Sequence, residues 1–250
     1  MAVFTKIDKS DINKIENSFN LGIVKKYNGI KKGIENTNYF LEFNKKKTIL
    51  TIFEKRVSKR DLPFFMKLMY GLSKLKIVCP NPIKNKKGSY LFKIKGKSAC
   101  LVTFLRGEEK KKLSSSDCRQ IGKNIAVLHK ATKKLKIKRK NSLSINLLHK
   151  ISNKIDKRIN KLSKNLKTNM ITDLEKLRKT WPRSLPNGVI HSDLFIDNIF
   201  FYKKKFYGFI DFYFSCTDYY AYELATCVNA LCFDKKKKKF ILNKKKSYNL

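Results

Sequence analysis

The stretch that most constrains this chain runs from Val189 to Phe212 and reads V-I-H-S-D-L-F-I-D-N-I-F-F-Y-K-K-K-F-Y-G-F-I-D-F. Two apolar residues, Val189 and Ile190, lead into a polar loop from His191 to Asn198. An apolar run from Ile199 to Tyr202 follows, then three lysines, then a second apolar run from Phe206 to Ile210 that ends on Asp211. Short aromatic and β-branched runs on either side of a polar turn predict a β-hairpin. The hairpin returns Asp211 beside the loop it left, so Asp193, Asn198 and Asp211 are expected to share one place.

Those side chains suit phosphoryl transfer. One carboxylate, Asp193, positions an attacking hydroxyl and takes its proton, while an amide oxygen and a second carboxylate hold magnesium against the phosphates. Magnesium takes few protein ligands and keeps waters or phosphate oxygens, so Asn198 and Asp211 suffice as the metal pair. The order H-x-D-x4-N, then an apolar residue, Asp and Phe, matches the kinase catalytic loop and its metal-binding Asp. An Asp–Asn pair alone is a common turn former; the ordered set of His191, Asp193, Asn198, hairpin and Asp211 favours the kinase reading. His191 is expected to support the loop backbone, and Asp197 to form a turn.

The formal net charge of +39 would ordinarily suggest nucleic acid or an anionic membrane. The lysines are spread from Lys6 to Lys246 among Ile and Asn, and the aromatics sit in apolar runs rather than on a basic stacking face. Neither nucleic acid nor a membrane is therefore expected as a partner. The six cysteines, Cys79, Cys100, Cys118, Cys216, Cys227 and Cys232, contain no C-x-x-C pair and lie among apolar residues. They read as reduced, buried small hydrophobes. With no signal-peptide pattern and no long apolar window, a cytoplasmic protein is expected.

Along the chain, Asp8 to Phe19 predicts a capped helix with Ile12, Ile15 and Phe19 on one face. Ile23–Ile30, Thr37–Phe43 and Thr48–Phe53 predict an antiparallel meander. The loop G-I-K-K-G-I-E-N-T-N joins the first two strands, and Gly33, Asn36 and Thr37 in it are candidates to cover nucleotide phosphates; an ordinary hairpin turn is the bland alternative. Asp61 predicts a helix cap, with Pro63 in the first turn and an apolar stripe of Phe64, Phe65, Leu68, Met69 and Leu72. Tyr90–Ile94 and Ala99–Leu105 predict two more strands. The second can serve as a hinge, where the backbone at Thr103, Phe104 and Leu105 would bond adenine; a plain buried strand is the alternative. From Ser114 the pattern turns helical, with Ile121, Ile125 and Leu128 inward and His129 structural. Lysine-heavy helices are expected over Leu143–Leu166 and Ile171–Thr180, with Trp181 beneath the catalytic loop. After Asp211 a helix is expected near Asp218, its cap, burying Tyr222, Ala225, Cys227, Val228 and Leu231. Lys235–Lys239 reads as a solvated turn or linker.

The chain as a whole resembles homoserine kinases of the aminoglycoside-phosphotransferase type, relatives of choline kinases and protein kinases. The resemblance is carried by M-A-V-F-T-K, G-I-K-K-G-I-E-N-T-N-Y-F-L, I-L-T-I-F-E-K-R, D-L-P-F-F, C-P-N-P, L-V-T-F-L-R-G, W-P-R-S-L-P-N-G-V-I-H-S-D-L-F-I-D-N-I-F-F and G-F-I-D-F-Y-F-S-C-T-D, the last two being the most specific. It implies an α+β, protein-kinase-like fold of two lobes: an antiparallel sheet with a helix over 1–105, and a mostly helical catalytic and acceptor-binding lobe over 106–250. It implies transfer of the γ-phosphate of ATP to the hydroxyl of L-homoserine with Mg2+, Asp193 as base, and Asn198 and Asp211 as metal ligands. Homoserine carries a carboxylate and an ammonium, so its pocket needs a cation and an acid. Asp218 and Glu223 are the candidate acids, each with a capping or structural alternative. Two departures stand out. Where kinases place a third-strand Lys this chain has Thr51, with Lys55 or Arg56 as substitutes and no helix Glu to pair with them, and the chain ends at Leu250, short of the closing helices the resemblance implies. The competing readings are a kinase for another amino alcohol, such as choline or an aminoglycoside, and a basic non-catalytic binding protein on a kinase-like scaffold.

Overall fold

The computed structural model describes residues 3–33, 35–236 and 239–250. Met1, Ala2 and Ile34, which belong to the N-terminal and glycine-loop motifs, and Lys237 and Lys238 of the lysine run lie outside the described residues.

Helix α1 (Lys9–Ser18) begins where Asp8 accepts the amides of Ser10 and Asp11 and the Asp11 carboxylate accepts the amide of Asp8. This reciprocal cap satisfies donors the first turn cannot pair internally. Strands β1 (Val24–Gly29), β2 (Thr37–Phe43), β3 (Lys47–Ile52), β4 (Leu91–Ile94) and β5 (Lys97–Thr103) form one antiparallel sheet in the order β1-β2-β3-β5-β4. Thr37, Tyr39, Leu41 and Phe43 alternate inward along β2, as the two-residue period of a strand dictates. Ile12, Ile15 and Phe19 pack against Leu41, Leu50 and Leu101 on that face. Helix α2 (Leu62–Lys74) brings Phe65, Leu68, Met69 and Leu72 to a second core with Cys100 and Val102. That core continues into α3 (Ser115–Lys134) through Ile121, Ile125 and Leu128 and on to Val189 and Phe209. The boundary expected near Leu105 thus crosses shared apolar packing.

Beyond α3 come α4 (Ile145–Lys154), α5 (Leu166–Thr180), the strand pair β6 (Asn187–Ile190) and β9 (Cys216–Tyr219), and the hairpin β7 (Ile199–Tyr202) and β8 (Lys205–Phe209). Helix α6 (Tyr220–Leu231), the hairpin β10 (Phe233–Lys236) and β11 (Lys239–Leu242), and α7 (Lys244–Asn249) follow. Gly107 holds the crossing from β5 into the helical part: its φ is +102, and a Cβ there would lie 2.6 Å from the Phe201 carbonyl oxygen. Only glycine fits both conditions.

Several expectations are corrected. Asp61 occupies the N-cap position of α2 as expected, but its side chain makes no cap hydrogen bond; its carboxylate instead accepts from Arg139 Nε at 2.7 Å. The 143–166 stretch is α4 followed by a 3-10 turn at Lys157–Lys161, and α5 starts at Leu166 after Asn165 turns left-handed. Asp218 is not the cap of α6, which starts from Tyr219, and Ala225 faces solvent. The described part of the 235–239 run is in hairpin strands, because Phe233 and Asp234 pair with Leu242 and Ile241. All six cysteines are buried and free. Among the described residues no helix is long and apolar enough to cross a membrane.

Candidate active site

Strand β6 runs Val189 and Ile190 into the core and stops at His191, which is fully buried. The His191 Nε2–H donates to the Ile210 carbonyl at 2.8 Å, tying the loop's start to the end of β8. Burial holds its pKa below the ordinary value. A neutral ring whose Nε2 carries the proton is a brace for backbone, not a base facing substrate. Ser192 follows with φ +70, and its amide donates to Glu223 Oε1 at 2.7 Å. Glu223 is buried, and its Oε2 lies 2.5 Å from His129 Nε2, whose ring stacks on Tyr220. Both Glu223 oxygens are therefore engaged behind the loop. Of the two readings of Glu223, an acid for the acceptor or a structural residue, its partners favour the structural one, which fixes the loop from within the core.

The loop then delivers Asp193. A 3-10 turn over Ile196–Asn198 brings Asn198 back, and its Nδ2 donates to the Asp193 carbonyl at 2.8 Å and to Asp193 Oδ2 at 3.0 Å. The β7–β8 hairpin turns on Lys203 and Lys204, both at positive φ, and the Ile210 amide returns to the Asn198 carbonyl at 3.0 Å. Paired left-handed residues match the right-handed twist of a tight hairpin. Asp211 follows at φ +61, a backbone position that non-glycine residues adopt at some cost. Burial, and next the neighbouring Asp211, push Asp193 up to about 7, while Asn198 and Arg56 pull it down. Burial likewise pushes Asp211 up to about 6, with exposed Asp197 adding to the effect.

The donor set suits a hard cation. Asn198 spends its amide group on Asp193, which leaves Oδ1 to offer, and two crowded carboxylates need positive charge between them. Among the described residues no group of three or more His, Cys, Asp and Glu is placed to hold a metal ion. One carboxylate and one amide oxygen fit magnesium, which draws its remaining ligands from phosphate and water.

The other expected site residues separate on inspection. Gly33 lies in the loop before β2 with φ +99 and open space around it. Asn36 is buried and shares a cleft with Glu35, Arg56, Asp211 and Phe214. Thr37 is corrected: its hydroxyl is buried, accepts the amides of Phe4 and Thr5 at 3.0 and 3.1 Å, and donates to Glu54 Oε1 at 2.7 Å. It ties the N-terminal segment to the sheet and has nothing left for a nucleotide. At the expected hinge, the Thr103 amide donates to the Asn81 carbonyl and the Phe104 amide to the Lys47 carbonyl. Among the described residues the Leu105 amide has no partner, so of the three it is the free donor. Thr51 carries no cation and is buried, donating to Asn38 Oδ1 at 2.8 Å and facing Tyr213. Asp218 accepts from Asn141 Nδ2 at 2.6 Å at the edge of a cavity of about 550 Å3. Trp181 lines that cavity beside Tyr222 rather than underlying the catalytic loop. The His129–Glu223 pair and Arg139, which bonds Asp61 and the carbonyls of Phe214 and Ser215, carried no local signal in the sequence.

Residues 26–241 match the phosphotransferase enzyme family. The chain is 40% identical over 235 residues to the homoserine kinase of Agrobacterium fabrum, spanning 94% of this chain and 73% of that protein. It is 39% identical over 234 residues to the homoserine kinase of Methylobacterium nodulans, with the same two coverages. Among solved structures it is similar to an amicoumacin kinase determined with AMP-PNP and Ca2+, at a TM-score of 0.69 and 14% identity, covering 86% of this chain and 66% of that one. It is also similar to a spectinomycin phosphotransferase determined with ADP and spectinomycin, at a TM-score of 0.64 and 15% identity, covering 88% of this chain and 73% of that one. The likeness to these two structures is one of fold.

Proposed function

This chain belongs to the phosphotransferase enzyme family, and we propose that within it the protein is a homoserine kinase, transferring the γ-phosphate of ATP to the side-chain hydroxyl of L-homoserine with Mg2+. The observation that carries the reading is the meeting of Asp193, Asn198 and Asp211 at one loop and hairpin, in a chain about 40% identical to curated homoserine kinases over most of its length.

In this reading Asp193 accepts the hydroxyl proton as the homoserine oxygen bonds to the γ-phosphorus and the bond to the departing ADP oxygen breaks. Asp193 is the carboxylate that the loop presents for that proton, oriented by the Asn198 Nδ2. Asn198 Oδ1 and Asp211 hold the metal, which when bound offsets the charge of the phosphates. Asn198 also holds Asp193 in place through its Nδ2. Glu223 and His191 fix the loop on either side. Gly33 and Asn36 cover the phosphates, and the backbone from Thr103 to Leu105, through the Leu105 amide, receives the adenine. Asp218, on the cavity with Asn141, is the acid assigned to the acceptor's ammonium.

The test is a panel of acceptors with labelled ATP and Mg2+, homoserine and choline first. O-phosphohomoserine is the expected product. Phosphorylation of choline or an aminoglycoside in preference to homoserine would overturn the substrate while keeping the class. Transfer to none of them would favour the non-catalytic scaffold.

A further inference from the structure

The third strand offers no cation to the nucleotide, since Thr51 occupies that place and is tied to Asn38. Among the described residues, the cleft beside Asp211 is bordered by two cations, Arg56 and Arg139. Arg139 is committed: its side chain is 10% exposed, bonds Asp61 and two backbone carbonyls, and lies over the Phe65 ring. Arg56 is not. Its side chain is 51% exposed and stacks 4.5 Å above the Phe214 ring, three residues beyond Asp211. Its charged partner is Glu35, on the loop that also carries Gly33 and Asn36. It lies near enough to Asp193 to draw that carboxyl's pKa down. Lys97, the other cation near the end of β3, is bonded to Glu54 and Thr5, and Lys55 does not line the cleft.

We propose that Arg56 is the cation of the transfer site, leaving Glu35 to take the γ-phosphoryl oxygens of the bound nucleotide. This rests on the kinase reading above. Three features support it. The guanidinium fork suits phosphate oxygens, and its plane is already oriented by Phe214. The Arg56 end of the pair is half exposed and open to solvent screening, while Glu35 is less exposed, so exchanging Glu35 for a more highly charged phosphate is favourable. Finally, Glu35 sits on the loop expected to close over the phosphates, so the exchange links loop position to the presence of the γ-phosphate.

The experiment is calorimetric binding of AMP-PNP and of ADP, each with Mg2+, to the wild type and to Arg56→Gln, Arg56→Lys, Glu35→Gln and Lys55→Gln. Loss of one charge-assisted contact should weaken AMP-PNP binding to Arg56→Gln by about tenfold to a hundredfold. ADP binding should change far less, and Arg56→Lys should recover part of the loss. Glu35→Gln removes the competing partner and should tighten AMP-PNP. Lys55→Gln, which alters the overall charge equally, should leave both affinities unchanged. Equal weakening of AMP-PNP and ADP by Arg56→Gln, an equal effect from Lys55→Gln, or a change confined to the KM for homoserine would overturn the proposal. Because the primary readout is nucleotide affinity, it is decided separately from whether homoserine is the acceptor.

Discussion

At the scale of single residues, the site trades stability for chemistry. Burial pushes the carboxyls of Asp193 and Asp211 up to about 7 and about 6, with Asp211 adding to the first shift and Asp197 to the second. A carboxyl whose folded pKa is raised contributes stability below its unfolded value of 3.8, and loses that contribution as pH rises through about 7. Asp193→Asn does not titrate, so its stability should pull ahead of the wild type between those limits. The expected gap, discounted for partial solvent exposure, is about 1–2 kcal/mol at alkaline pH and near zero at the acid end. Urea unfolding across the range measures it, and a gap that is constant with pH would contradict the account. The same substitution should lower kcat by about a hundredfold to ten-thousandfold, the usual weight of a general base. The gathering of Asp193, Asn198 and Asp211 was legible in the sequence because the loop and hairpin that join them lie in one short stretch. The two readings of Glu223 could not be separated, and Thr37 was misread, because their partners are remote: Glu223 meets His129 across 94 positions and Ser192 across 31, and Thr37 meets Thr5 across 32. Residue type alone does not reveal whether an acid faces a ligand or a buried amide.

Elements position these residues, and their construction makes separate predictions. Helix α6 reaches the catalytic loop through Glu223. Glu223→Ala leaves the Ser192 amide and His129 unpaired, which should cost about 1–3 kcal/mol for each orphaned group. The loosened loop should lower kcat by about tenfold to a hundredfold, with nucleotide affinity retained; unchanged kcat in the folded variant would rule out a positioning role. Gly107→Ala sets a Cβ against the Phe201 carbonyl at a left-handed position and should lower the thermal midpoint measurably by calorimetry. The hairpin β7–β8 was legible because two apolar runs flank a lysine turn, and the five-stranded sheet because apolar residues alternate strictly along β2. The break between α4 and α5 was not legible. No Pro or Gly marks it; the chain turns at Asp156 and at left-handed Asn165, polar residues that lysine-rich helices also carry. The lysine run near the C-terminus concealed strands in the same way, since β10 and β11 are set by cross-strand pairing rather than by a local pattern.

For the whole molecule, the net charge of +39 sets up self-repulsion that salt should relieve. The thermal midpoint should rise by about 2 °C or more from low to high ionic strength, while nucleotide affinity falls as the attraction of the basic surface for anions is screened. A midpoint that falls with salt would mean that surface ion pairs, not repulsion, dominate. We propose that the division into parts 1–105 and 106–250 is one of function rather than of independent folding, because α2, α3 and the β7–β8 hairpin share a core; a single unfolding transition by two probes checks it. The central claim is that one loop and one hairpin assemble a metal and phosphoryl-transfer site with divided labour. Its most direct test is the affinity of Mn2+–AMP-PNP, followed by electron paramagnetic resonance, in Asp193→Asn, Asn198→Ala and Asp211→Asn. The account predicts wild-type affinity in the first and losses of about tenfold or more in the other two; wild-type affinity in Asp211→Asn would contradict it.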